Sequence, residues 1–223
     1  MSASTASVFG PRSVAEIAAA LPGATAVFRR HKLDFCCGGQ APLAEAAARR
    51  GVDLATVEGE LAALLPDAAA ATVPQETGAL ITLIEQRYHA THRRELPELV
   101  RLARRVEAVH GEHPLAPRGL ADLLERMAAE LEDHMQKEER ILFPLMRQGG
   151  HPMIGQPISV MRAEHDDHGG HLQALEGLTQ SGVPPEGACN TWRALYAGTR
   201  KFADDLMEHV HLENNVLFPR FSA

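Results

Sequence analysis

The chain has 223 residues, 45% of them hydrophobic and only 4% aromatic, with a formal net charge of −7 when histidines are neutral. That length supports one or two cores, and the acidic balance, with no Lys/Arg run interleaved with aromatics, argues against nucleic acid as a partner. No stretch approaches the roughly twenty apolar residues of a spanning helix, and the opening MSASTASVFGPRS lacks the basic-then-apolar order of a signal peptide, so the expectation is a cytoplasmic protein without a membrane partner.

Plentiful alanine and leucine and few β-branched runs favour helices throughout. SVAEIAAAL places Ser13 and Glu16 at capping-box spacing, predicting a short helix that stops near Pro22 and Gly23. A second helix is predicted over 24–31. It is followed by LDFCCGGQAPL, where paired glycines break regularity, and then by helices over 43–50 and 54–65. Residues 1–66 therefore read as a small helical N-terminal domain, and 67–77, proline-bearing and alanine-rich, as a linker. In 78–223 four long helices are predicted at about 78–109, 117–147, 157–180 and 188–217, separated by HGEHPLAP, QGGHPMIGQ and SGVPPEG. Connectors this short make neighbours antiparallel, so the expected fold is all-α: an up-down four-helix bundle behind a small helical domain.

Of twelve histidines only His31 precedes residue 89. Two segments share the pattern H-x-x-x-E-x-x-[I/V]-L-F-P: HMQKEERILFP from His134 and HVHLENNVLFP from His209. In the second long helix Leu120, Leu124, Met127, Leu131, His134, Glu138, Ile141 and Leu145 follow helical spacing. The fourth repeats this through Trp192, Leu195, Thr199, Phe202, Leu206, His209, Glu213 and Val216. Each His/Glu pair thus falls on an apolar stripe. A carboxylate there is costly unless paired or bound to metal.

The third helix carries Ile158, Met161, His165, His168, Leu172 and Leu175 on one stripe, and the first carries His89 and His92 in RYHATHR. His89 precedes His134 by 45 residues and His165 precedes His209 by 44, so an H…HxxxE hairpin reads as duplicated. Packed face to face, the copies would pool at least four histidines and two glutamates. A lone HxxxE pair is more often a surface ion pair or a satisfied core histidine. Two pairs with matched intervals and terminators favour metal, and donors of this kind suit two first-row ions, iron foremost. Structural zinc would want thiolates near the histidines, and there are none. Spacing alone does not choose between His89 and His92 or settle His168. His110, His113 and His151 fall in predicted loops, and His171 and His211 lie beside the stripes.

Three cysteines cannot make a disulfide framework and point to thiols in a reducing compartment. Cys36 and Cys37 precede Gly38 and Gly39, which would let the backbone turn and expose both thiols. They read either as two small buried apolar residues at a helix end or as a redox dithiol, a metal or nitrosyl acceptor, or a partner contact. Cys189 reads as structural.

RYHATHR, GLADLLERMAAELEDHMQKEERILFP, QPISVMRAEHDDHG and DDLMEHVHLENNVLFPR, preceded by LDFCCGG, closely resemble the hemerythrin-like di-iron proteins called repair of iron centers proteins, over about residues 13–221. The resemblance implies His89, His134, Glu138, His165, His209 and Glu213 as ligands of two irons, with the glutamates and an oxo or hydroxo group as bridges. It differs from ordinary hemerythrins, which add a fifth histidine and a bridging aspartate, and so argues against simple oxygen carriage. It implies repair of iron-sulfur clusters damaged by nitric oxide or oxidative stress, by iron donation or nitric oxide binding, with damaged iron-sulfur proteins as partners and nitric oxide or dioxygen as small ligands. A sensor or sequestering protein for these gases and a nitric oxide reductase are the alternatives. Enzyme status and homodimer formation stay open, since no general acid or reductant-docking site is legible.

Overall fold

A computed structural model describes residues 8–65 and 73–221, and among these the regular structure is helical. The chain divides into two compact units: described residues up to Gln75 together with those from Met207 on, and residues Glu76–Leu206.

In the first unit α1 (Val14–Ala20) starts where the sequence predicts. The Glu16 amide donates to Ser13 Oγ at 3.1 Å, and the Ser13 amide donates to Glu16 Oε2 at 3.1 Å, so two orphan amides are satisfied reciprocally. Three further helices follow: α2 (Ala24–Arg30), α3 (Leu43–Arg50) and α4 (Leu54–Ala63). The last is capped by Asp53, whose carboxylate accepts from the Thr56 amide at 3.0 Å. Ile17, Phe28, Phe35, Leu43, Val57 and Leu61 form the fully buried centre of this unit, with Met207 packed against it. Each such side chain contributes roughly 1.5–3 kcal/mol through burial.

Of the linker predicted over 67–77, residues 67–72 lie outside the described residues. Beyond it, the Glu76 carboxylate accepts from the Gly78 and Ala79 amides and opens α5 (Thr77–Leu83). A π-helical turn, π1 (Ile84–His89), joins α5 to α6 (Ala90–His110) as one long helix. Next come α7 (Leu120–Lys137), a second turn π2 (Glu138–Leu142), α8 (Phe143–Arg147), α9 (Gly155–Leu178), α10 (Asn190–His211) and a third turn π3 (Leu212–Leu217).

Ion pairs and ring contacts fix the direction of each neighbour in the second unit. Arg93 reaches Glu139 and Arg104 reaches Glu125, so α6 and α7 run antiparallel. His134 meets Glu164 while Glu130 meets His171, so α7 and α9 do too. Arg87 pairs with Asp205, and the His110 ring meets the Trp192 ring, tilted, at 5.1 Å, which makes α10 antiparallel to the first helix. The up-down bundle is therefore the observed architecture.

One expectation fails in a consistent way. Ile141 was expected on the buried stripe and is 56% exposed, while Leu142 is 1% exposed. Leu145 and Val216 are only half-buried, and their neighbours Met146 and Leu217 are buried. In π2 the Phe143 amide donates to the Glu138 carbonyl five residues back, and in π3 the Phe218 amide donates likewise to the Glu213 carbonyl. Each π turn accommodates one extra residue and advances the buried face by one position. Pro144 and Pro219 follow directly, and a proline ring would crowd the carbonyl four residues back in a regular helix. The first turn, π1, has no such proline, so proline alone does not account for all three.

Candidate metal centre

Inside the second unit four predicted ligands meet. His89 ends π1, His134 lies near the end of α7, Glu138 opens π2, and His165 comes from α9; all are at most 1% exposed. Nε2 of His89 and Nε2 of His134 each lie 3.5 Å from the same carboxylate oxygen, Glu138 Oε2. His165 Nε2 is 3.1 Å from His134 Nε2. The ligand atoms of His134, Glu138 and His165 are all within 4.8 Å of one another.

The outward nitrogens are fixed by carboxylates. His89 Nδ1 donates to Glu139 Oε1 at 2.7 Å, and His134 Nδ1 donates to Glu164 Oε2 at 2.8 Å. A carboxylate can only accept, so both Nε2 lone pairs point toward Glu138; this is how proteins orient metal-bound imidazoles. Partial burial opposes the charge on Glu139, but Arg93 and His89 more than offset it and hold its carboxyl below the usual range. Arg93 in turn bridges Glu132 and Glu139, and Lys137 pairs with Glu164. Phe143, from the L-F-P terminator, stacks on His89 with ring centroids 5.8 Å apart. The terminator thus packs against a candidate ligand as well as ending the stripe.

These donors fit iron. Three inward imidazole nitrogens and a buried carboxylate, with no thiolate among them, match a first-row ion of borderline hardness. The π turns bring the ligands to bear: π1 ends on His89, and π2 and π3 begin with or just before Glu138 and Glu213. His92, open on spacing alone, is buried with its ring edge-on to Phe202 at 5.5 Å and joins none of the His/Cys/Asp/Glu groupings able to hold an ion among the described residues. His168 is buried beside His134, ring centroids 5.1 Å apart.

The second motif copy lies in the first unit. His209 Nε2 is 3.0 Å from Glu213 Oε1, and both side chains are fully buried. Around this pair stand His211, which the sequence places beside the stripe, and Asn214 and Asn215, which periodicity does not single out. His211 is 2% exposed, its Nδ1 lies 3.2 Å from the Phe35 carbonyl, and its ring meets the Phe35 ring edge-on. Asn214 Nδ2 donates to the Cys36 carbonyl at 3.3 Å, and Asn215 Nδ2 donates to the Phe35 carbonyl at 3.1 Å. Burial pushes the His211 imidazole down from its ordinary value. The available signal was the polar run H-x-x-N-N inside an otherwise apolar helix end.

The cysteine segment departs from expectation. Cys36 is buried, Cys37 is half-buried and neither forms a disulfide, so the two thiols are not exposed together. Their sulfurs are 3.6 Å apart. The Asp34 carboxylate gathers this turn, accepting from the amides of Cys36, Cys37 and Gly38 at 2.9–3.1 Å. Bonding to Cys37, then burial and the nearby Asp34 charge, push the Cys36 thiol well above its ordinary value. Glycine is needed at 39 for close approach: a Cβ there would sit 2.7 Å from the Phe35 carbonyl oxygen and 2.9 Å from Ala15 Cβ. Cys189, expected to be structural, is exposed, with its sulfur 3.2 Å from His110 Nε2.

Residues 80–221 match the family described as the Hemerythrin HHE cation binding domain, and residues 10–65 match a domain of unknown function, DUF542. The chain is 51% identical, over 94% of its length and 96% of the relative's, to the iron-sulfur cluster repair protein YtfE of Yersinia pseudotuberculosis serotype IB. The same figures hold for the protein of that name from Yersinia pestis strain Pestoides F.

Proposed function

This chain belongs to the hemerythrin HHE cation-binding family, and we propose from that premise that it is a non-haem di-iron protein repairing iron-sulfur clusters damaged by nitric oxide or oxidative stress. The observation that carries the metal reading is the buried set His89, His134, Glu138 and His165, with the imidazoles aimed inward by Glu139 and Glu164. We assign His209 and Glu213 to the same centre because they repeat the HxxxE pair, its burial and its π turn. His89, His134, Glu138, His165, His209 and Glu213 would hold the iron through imidazole nitrogens and carboxylate oxygens.

When bound, such a centre supplies labile ferrous or ferric iron and positions for a diatomic ligand. The chain's own residues keep the Nε2 lone pairs of His89 and His134 inward and bury the site with Phe143 and the apolar stripe. Neutral imidazole and carboxylate release iron more readily than thiolates do, which suits donation to a damaged cluster. The recipients are damaged iron-sulfur proteins, and the setting we propose is the cytoplasm. No helix among the described residues is long and apolar enough to cross a membrane.

The deciding experiment uses ⁵⁷Fe-loaded protein and a cluster enzyme already inactivated by nitric oxide, with the free gas removed first. Recovery of activity, with label appearing in the client's cluster, is expected. Protection only when the protein is present during exposure would overturn repair in favour of gas sequestration. Repeated nitrous oxide formation with a reductant would make it a reductase instead.

A further inference from the structure

The segment HDDHGGH places three histidines at three-residue intervals on α9, and their exposure rises in order. His165 is fully buried at the metal centre, His168 is 3% exposed, and the His171 side chain is 24% exposed. Their rings form a ladder. His168 lies edge-on to His134 at 5.1 Å and 6.5 Å from His165. Across the α7–α9 interface Glu130 faces the outer rung, with its Oε2 3.3 Å from His171 Nδ1 and its side chain 49% exposed.

An exposed Glu–His contact by itself is an ordinary surface pair worth little. The third member changes the reading, because one ligand atom from each of Glu130, His168 and His171 lies within 4.8 Å of the others. Two imidazoles three residues apart on one helix, with a carboxylate from the neighbouring helix, make a two-His, one-carboxylate face suited to a divalent first-row ion. The acid stands on the solvent side and the imidazoles lead inward, so the group is graded from hydrated to dry.

We propose that Glu130, His168 and His171 form a second cation site, a loading and release station through which divalent iron passes between solvent and the buried centre. This rests on the di-iron reading for its cargo, but its ligands are separate from the six assigned there. A three-donor, solvent-open site binds more weakly than the centre, as a transit point must. It offers an entering ion three ligands to replace part of its hydration shell before it reaches His134 and His165.

Cobalt(II) is the probe, added to protein already holding two irons per chain. One further equivalent is expected, with visible ligand-field absorption, while iron stays at two. Glu130→Gln and His171→Ala should each weaken that binding at least about tenfold, the scale on which even outer partners of a metal site count. Both should also slow iron extraction by a ferrous chelator severalfold while leaving iron content and far-UV circular dichroism unchanged. The two substitutions fall on partly exposed side chains, so folding is preserved. No third equivalent in the wild-type protein, full affinity in either variant, or unchanged extraction would each overturn the station. Iron content far from two per chain would sink the parent reading instead, and the two failures are distinguishable.

Discussion

The two copies of the HxxxE motif share a sequence pattern, full burial and a π turn, yet they are supported differently. The first, His134 and Glu138, stands among charges: Glu164 orients His134, Glu139 orients the neighbouring His89, and the two acids are themselves held by Lys137 and Arg93. Beside the second, His209 and Glu213, the flanking His211, Asn214 and Asn215 are turned to the carbonyls of Phe35 and Cys36. The repeated pattern therefore has different neighbours in its two copies. Beside one copy lie charged pairs, and beside the other lie donors that hold the cysteine turn.

The largest effect should come from removing what the copies share. Glu138→Ala with Glu213→Ala is expected to abolish iron binding, read as metal per chain and as loss of oxo-bridged ferric absorption. Retention of both by the double variant would break the equivalence of the copies and the centre with it. Next comes the difference between them. Glu139→Gln and Glu164→Gln should each lower iron affinity about 10–100-fold by loosening an imidazole's orientation, measured by competition with a chelator. Asn214→Ala should leave affinity within about twofold, far short of that range. Equal losses on both sides would mean that the second flank also tunes the metal.

Much of this was legible from spacing. Four long helices, the Ser13–Glu16 cap and the His/Glu stripes follow from periodicity, because burial enforces a 3.6-residue repeat wherever a helix packs. Three things were not legible. The π turns are invisible to a fixed period, which is why Ile141, Leu145 and Val216 were placed on the buried face and Leu142, Met146 and Leu217 hold it instead. The orienting glutamates look like any charged residue on a solvated helix, since only a neighbouring helix gives Glu164 its imidazole. His211 seemed incidental because its partner, the Phe35 carbonyl, is 176 residues away in the chain.

The anchor role gives the next prediction in size. Asn215→Ala removes donors to both the Phe35 and Cys36 carbonyls and should cost about 1 kcal/mol of stability, the net worth of a typical buried hydrogen bond. Thermal unfolding monitored by circular dichroism checks it. A change confined to Glu139 variants, with none here, would mean the second copy does not hold the turn.

The smallest effect separates the two thiols. Cys36 is buried and its thiol is pushed above the ordinary range by the Cys37 sulfur, by burial and by Asp34, so it holds its proton at neutral pH. Only the thiolate is nucleophilic. Limited alkylation of the folded protein near pH 7.5, a setting about one unit below an ordinary thiol's titration, should therefore label Cys37 and the exposed Cys189 first, as read by peptide mass spectrometry. Cys36 labelling should rise only as pH climbs past the ordinary thiol range, and should come earlier in Asn215→Ala if that side chain holds the turn closed. First reaction at Cys36 would show that the turn opens readily in solution. The second copy would then be a loose tether, and the contrast between the two halves would shrink to the charges around the first.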